Sequence, residues 1–177
     1  PYRLKLGSKA APLGMDKSKH FVLLAHVGAY SQYLTETAAF KLGEEIGLAW
    51  TPKAEPVEVV VNNEYKGLYF LVENIRVDDK RVDITEQDDN CTNTDEITGG
   101  WLLEIDNYND PDQIKFVNGS GYTMHITHKS PEILSEEQES YLRQQMKAID
   151  DAVYEDDKNS TTWEKYIDID ALTRYYI

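Results

Sequence analysis

Two carboxylates separated by one residue, Glu104 and Asp106, close the stretch Gly99-Gly-Trp-Leu-Leu-Glu-Ile-Asp106. On a strand, positions i and i+2 project to the same side, so the pair could organise a divalent metal or a substrate hydroxyl. It could equally be the wet polar face of an edge strand. Arg3 and Lys5 repeat that spacing with cations and could act together on an anion. Other chemistry-bearing residues lose their significance once geometry is applied. His125 and His128 have metal-like spacing, yet i and i+3 on a strand point to opposite faces. Asp168-Ile-Asp170 sits directly before Ala171-Leu-Thr-Arg-Tyr-Tyr, where a helix-capping Asp is the simpler reading. Asn90-Cys-Thr, Asn118-Gly-Ser and Asn159-Ser-Thr match the glycosylation pattern, a match common by chance. The single cysteine, Cys91, can form neither an internal disulfide nor a cysteine zinc site, and its polar surroundings predict an exposed loop thiol. No glycine-rich phosphate loop and no Gly-x-Ser-x-Gly occurs.

The elements that must position these residues follow from periodicity. Tyr2, Leu4 and Leu6 alternate with Arg3 and Lys5 as in a half-buried strand, and Ala11-Pro-Leu-Gly14 breaks the pattern. Phe21-Val-Leu-Leu24 is an apolar cluster that reads as a buried helical turn or a short strand. From about Tyr30 to Gly47, Leu34, Ala38, Leu42 and Ile46 recur at helical spacing, with Ala39 and Phe40 widening the apolar face. Ser31 or Thr35 could cap that helix, and Gly47 followed by Pro52 stops it. Val57–Val61 and Leu68–Val72, joined by Asn62-Asn-Glu-Tyr-Lys-Gly67, predict an antiparallel hairpin covered on both faces. A charged and polar stretch runs from Arg76 to Ile97. Ile114–Val117 and Tyr122–Thr127 flank Asn118-Gly-Ser-Gly121 as a second hairpin. Ser135, with Gln138 three residues on, forms a capping box, and Tyr141, Leu142, Met146 and Ile149 give the helix its apolar side. The polar gap Glu155–Thr161 leads to a last helix.

Composition bounds the function. The 177 residues suit one domain or one large lobe, and 41% hydrophobic residues suffice for a core. A net charge of −14 without a Lys/Arg stripe argues against nucleic acid as a partner; it suits a basic protein substrate or divalent cations, or simply solubility. No apolar run approaches the roughly 20 residues that span a bilayer. No signal peptide is visible, but the chain opens in mid-strand, as a piece of a larger protein would.

Four stretches together resemble the CotH kinase family, the spore coat protein H-like atypical protein kinases. They are Pro1-Tyr-Arg-Leu-Lys-Leu6, Phe21–Ala25 with Leu34–Leu48, Glu58–Glu73, and Gly99–Asp106. Their order and spacing agree with the family over essentially the whole chain. The resemblance implies an α+β fold: a protein-kinase-like small lobe and hinge over residues 1–75, an antiparallel sheet plus one helix. Residues 76–177 would hold a β-containing insertion and the first helices of a large lobe. It also implies ATP with Mg2+ or Mn2+, and transfer of the γ-phosphate to Ser or Thr of secreted or coat proteins that are Ser-rich and often basic. The location would be extracellular or the cell envelope.

In a kinase, a strand cation holds the α/β-phosphates and a helix carboxylate holds the cation. Lys5, with Arg3 beside it, is the candidate cation. Glu36, Glu44 and Glu45 compete for the partner role; Glu36 is preferred because an early carboxylate also meets the helix dipole favourably. Val72-Glu73-Asn74-Ile75 would be the hinge, with backbone groups around Glu73 and Ile75 bonding adenine. The family's usual Arg-Asn pair stands here as Thr35-Glu36, a departure that would weaken or abolish activity if the pair serves the site. The family's main catalytic aspartates lie in Trp-Asp-x-Asp-like segments that nothing here matches, so the chain alone is expected to be inactive. The competing reading is a non-catalytic surface or carbohydrate-associated scaffold, supported by that departure and by 12 tyrosines, whose rings can stack on sugars.

Overall fold

A computed structural model describes residues 1–25 and 34–176. Among these residues the fold is α+β, with two antiparallel sheets and three α-helices. The chain divides into two compact units. The first is Pro1–Ile75 with Lys80–Val82 and Thr173–Ile177; the second is Arg76–Asp79 with Asp83–Leu172.

The first unit is built on β1 (Tyr2–Ala10), β2 (Ser18–Ala25), β3 (Ala54–Val61) and β4 (Glu64–Glu73), in the order β1-β2-β4-β3. A 3-10 turn at Pro12–Gly14 joins β1 to β2. The Phe21 cluster is therefore a strand, and it is a full eight residues long. The register Leu4↔Phe21 and Leu23↔Leu71 puts one set of apolar residues on one side, where Met15, Phe21 and Leu71 form a core with Leu4, Leu6, Leu23 and Val57. The β3–β4 hairpin turns through Asn62 and Asn63, both left-handed (φ 51 and 65), as a two-residue primed turn requires. Its two faces are not evenly covered as expected. Phe70–Glu73 is buried, but Val60 and Val61 near the tip stand 61% and 47% exposed, because the hairpin runs beyond the strands and helix that cover its base.

Helix α1 spans Thr35–Glu45. Ser31 lies outside the described residues; the N-cap is Leu34, with no side-chain bond, and Thr35 is already helical. The helix ends as its sequence predicts: Gly47 is left-handed (φ 76), and Gly47 and Leu48 donate back to Glu44 and Gly43. The apolar stripe is a different matter. Leu34 and Leu42 are 70% and 57% exposed, while Thr37, Phe40 and Gly43 turn inward. Gly43 explains the rotation. A Cβ there would sit 2.7 Å from the Thr51 side chain, so the absence of one lets the chain after the helix pack tightly on that face.

The second unit holds β5 (Leu102–Asp106), β6 (Ile114–Val117) and β7 (Thr123–Ser130), in the order β5-β7-β6, with α2 (Glu136–Val153). Ile114, Ile126 and Leu142 make its core, joined by Trp101, which stacks on Tyr141 at 6.2 Å. The predicted capping box is present: Gln138 N–H donates to Ser135 Oγ and Ser135 N–H donates to Gln138 Oε1. Asp168 caps α3 (Ile169–Tyr176) by accepting from Ala171 N–H at 3.0 Å.

The segment before β5 has little regular structure but is not a solvated loop. Val77, Gln87, Cys91 and Ile97 are buried. The Cys91 thiol, expected in solvent, lies against the Asn93 carbonyl and the Glu96 carboxylate. A polar neighbourhood in sequence does not exclude burial when backbone carbonyls and side chains fold over the residue.

Between α2 and α3, Glu155 Oε2 accepts from the hydroxyls of Ser160 and Thr162 at 2.5 and 2.6 Å, which holds its carboxyl below the usual range. A depressed pKa stabilises the fold above the unfolded value and loses that contribution as pH falls through the folded value. Ser160→Ala should move the Glu155 titration, followed by NMR, upward toward an ordinary glutamate. An unchanged midpoint would show that the hydroxyl does not bond the carboxylate in solution.

Candidate functional site

Arg3 and Lys5 lie on β1 opposite Val22 and His20 of β2, and residues directly across an antiparallel pair share a face. The two cations are exposed on the side of the sheet away from the Phe21 core. Neither makes an ion pair with a described residue, so the pair presents uncompensated charge and fits a phosphate group chemically.

Glu36 lies in the first turn of α1 and is exposed. Among the described residues no ion pair joins it to Lys5. The strand order gives the reason. Helix α1 packs beside β3, at one edge of the sheet, whereas β1 is the other edge, three strand spacings or roughly 14 Å away. Glu44 is occupied by Lys41 at 3.1 Å, three residues before it. That contact, first through its hydrogen bond and then through its charge, raises the Lys41 pKa. A further consequence of the order is that β2, not β1, is the strand that precedes α1. Beside α1, a cleft of about 640 Å³ is lined by Phe40, Trp50, Pro52, Pro56, Leu68 and Phe70, among others.

At the end of β4 the Glu73 side chain turns inward and is 2% exposed. Its Oε1 accepts from Asp16 N–H at 2.9 Å and its Oε2 from Lys53 N–H at 3.1 Å, while its own N–H donates to the Lys53 carbonyl. The Asn74 carbonyl accepts from Arg81 at 2.6 Å, and the same guanidinium bonds the His20 carbonyl and lies over the Phe21 ring at 5.4 Å. Backbone groups of Glu73 and Asn74 are thus already bonded within the protein. Ile75 is 60% exposed. Arg81 escapes a reading of the sequence because it stands in a charged run, Arg76–Asp83, with no periodicity to mark it as buried.

Glu104 and Asp106 do share one face of β5, opposite Thr127 and His125. Each has a partner. Lys129 Nζ is 2.6 Å from Glu104 Oε2, and Asp106 Oδ1 accepts from Tyr108 N–H at 3.0 Å. A divalent ion at this pair would compete with the Lys129 ammonium for Glu104 and with the Tyr108 N–H for one oxygen of Asp106. Among the described residues no group of three potential ligands could hold one. His125 and His128 fall on opposite faces of β7, with His128 Nδ1 against the Pro131 carbonyl.

Among the described residues no helix is long and apolar enough to cross a membrane. No curated protein and no solved structure matches the chain. The family model described as CotH kinase protein matches residues 1–177, the whole chain. A match of that extent, on a chain whose β1, β4 and β5 carry the stretches that resemble the family, places this protein in the CotH kinase family.

Proposed function

We infer that the protein serves the nucleotide-gripping role of an ATP-dependent kinase that phosphorylates Ser or Thr on other proteins. The observation that carries this reading is the family match over all 177 residues. The first unit supports it: a four-stranded antiparallel sheet with one helix between its second and third strands is the layout expected of a kinase small lobe. Arg3 and Lys5 would hold the phosphates, and Ile75 would meet the adenine. Glu36 would reach Lys5 only after α1 moves toward β1, so the cation pair itself is the stronger part of the assignment. Mg2+ or Mn2+ would come with the nucleotide, with Glu104 and Asp106 as the candidate carboxylates. Secreted or coat proteins, Ser-rich and basic, are the substrates this reading favours, outside the cytoplasm.

Calorimetric titration of the protein with ATP, with and without Mg2+ or Mn2+, tests the reading. Metal-dependent binding should weaken at least tenfold in Lys5→Ala, since one charge-assisted phosphate contact is worth about 1.5–3 kcal/mol. Absence of binding by the parent protein would leave a non-catalytic scaffold as the better account, consistent with Thr35-Glu36 in place of the family's Arg-Asn.

A further inference from the structure

Charge is distributed unevenly along this acidic chain. Residues 1–25 carry Arg3, Lys5, Lys9, Lys17 and Lys19 against a single acid, Asp16, whereas the other 152 residues carry 13 Lys and Arg against 31 Asp and Glu. Elsewhere cations are commonly neutralised: Lys41, Lys53, Lys66, Lys129, Arg143 and Lys147 each lie within 3.3 Å of a carboxylate. None of the five on the β1–β2 ribbon makes such a pair with a described residue, and residues 26–33 contain no Asp or Glu. The ribbon's one acid, Asp16, is itself taken by Lys53 at 3.3 Å.

The same ribbon has an open edge. Strand β1 is the outermost of its sheet and hydrogen-bonds to β2 alone. Gly7, Ser8, Lys9 and Ala10 are all exposed, and the described residues make no further backbone hydrogen bonds to β1. An open edge of N–H and C=O groups selects for another extended polypeptide rather than for a compact anion. Lysines on an edge strand repel a basic neighbour and lose hydration against an apolar one, so the same charges that discourage unspecific pairing favour an acidic strand.

We propose that β1 is a docking edge for an acidic, extended peptide segment of a partner protein, which adds as a fifth strand with its carboxylates against the ribbon's cations. Lys9, Lys17 and Lys19 cluster where Ala10 pairs with Ser18, at the opposite end of β1 from Arg3, so docking there is separable from nucleotide binding.

The test uses the 177-residue chain without nucleotide. A fluorescent ten-residue peptide of alternating Asp and Thr is titrated by anisotropy at low salt beside its Asn–Thr counterpart, and amide hydrogen exchange is followed on the bound sample. The acidic peptide should bind at least tenfold more tightly than the neutral one and weaken with salt. Exchange should slow in β1. Lys9→Glu with Lys17→Glu and Lys19→Glu should abolish binding, and the corresponding glutamine triple, gentler on the fold, should weaken it at least threefold with an unchanged circular dichroism spectrum. Equal binding of both peptides, unaltered β1 exchange, or insensitivity to the glutamine triple would overturn the proposal. So would polyphosphate of matched charge competing as well as the peptide, since the edge would then be reading charge alone.

Discussion

Glu73→Ala is expected to destabilise the first unit by about 3 kcal/mol, read as a lowered urea midpoint with an unchanged slope. The side chain is almost fully buried, and its two oxygens accept from the Asp16 and Lys53 amides. Hydrogen bonds to a charged acceptor contribute about 1.5–3 kcal/mol each. Removing both leaves two N–H groups without acceptors and a cavity at the end of β4, and relief of the carboxylate's desolvation offsets only part of that. Glu73→Gln separates the contributions. The amide oxygen can serve one N–H, but its NH2 faces the other donor, so a loss of roughly half is expected. If alanine costs no more than glutamine, the two backbone bonds are not what fixes this residue. The stretch from Asp16 and the one from Lys53 enter β2 and β3, so the carboxylate ties together the starts of two strands and the end of a third.

Gln138→Ala is expected to cost the second unit about 2 kcal/mol, from a capping bond worth about 1 and the bond to the Asp88 carbonyl worth about 1. Gln138 is completely buried and makes three bonds: two with Ser135 in the capping box and one from its Nε2 to the Asp88 carbonyl at 3.0 Å. Ser135 Oγ bonds the Cys91 carbonyl. Between them, two residues at the start of α2 anchor the segment around residues 88–91. Ser135→Ala should be less damaging, and the double variant should cost less than the two singles combined, because they share the box. Additive losses in chemical denaturation would mean that the two residues act separately.

That same cap shows what a sequence makes legible. The capping bonds of Ser135, Gln138 and Asp168 reach atoms a few residues away, so spacing alone reveals them, whereas the bonds to the Asp88 and Cys91 carbonyls leave no such trace. The Asn62-Asn63 turn and the Asn118 loop are local in the same sense; Asn118 Oδ1 accepts from the Ser120 and Tyr122 amides. What sequence spacing cannot reveal is which stripe of α1 faces inward, since the missing Cβ of Gly43 against Thr51 decides it and not the longest apolar series. The buried state of Arg81, Gln87 and Ile97 depends likewise on distant strands and carbonyls. The site divides along the same line. That Arg3 and Lys5 share a face follows from a period of two, whereas the separation of Lys5 from Glu36 follows from a strand order that no local pattern encodes.

The sheltered cysteine gives the irregular stretch before β5 a built-in clock. With one sulfhydryl in the whole protein, every modification event by a thiol reagent reports the same place. Because Cys91 is covered, the reagent can reach it only when the surrounding coil lifts, so the labelling rate at saturating reagent becomes the opening frequency of that coil. A region without helix or strand, invisible to most spectroscopic probes of folding, thereby becomes the one whose local breathing can be timed most directly.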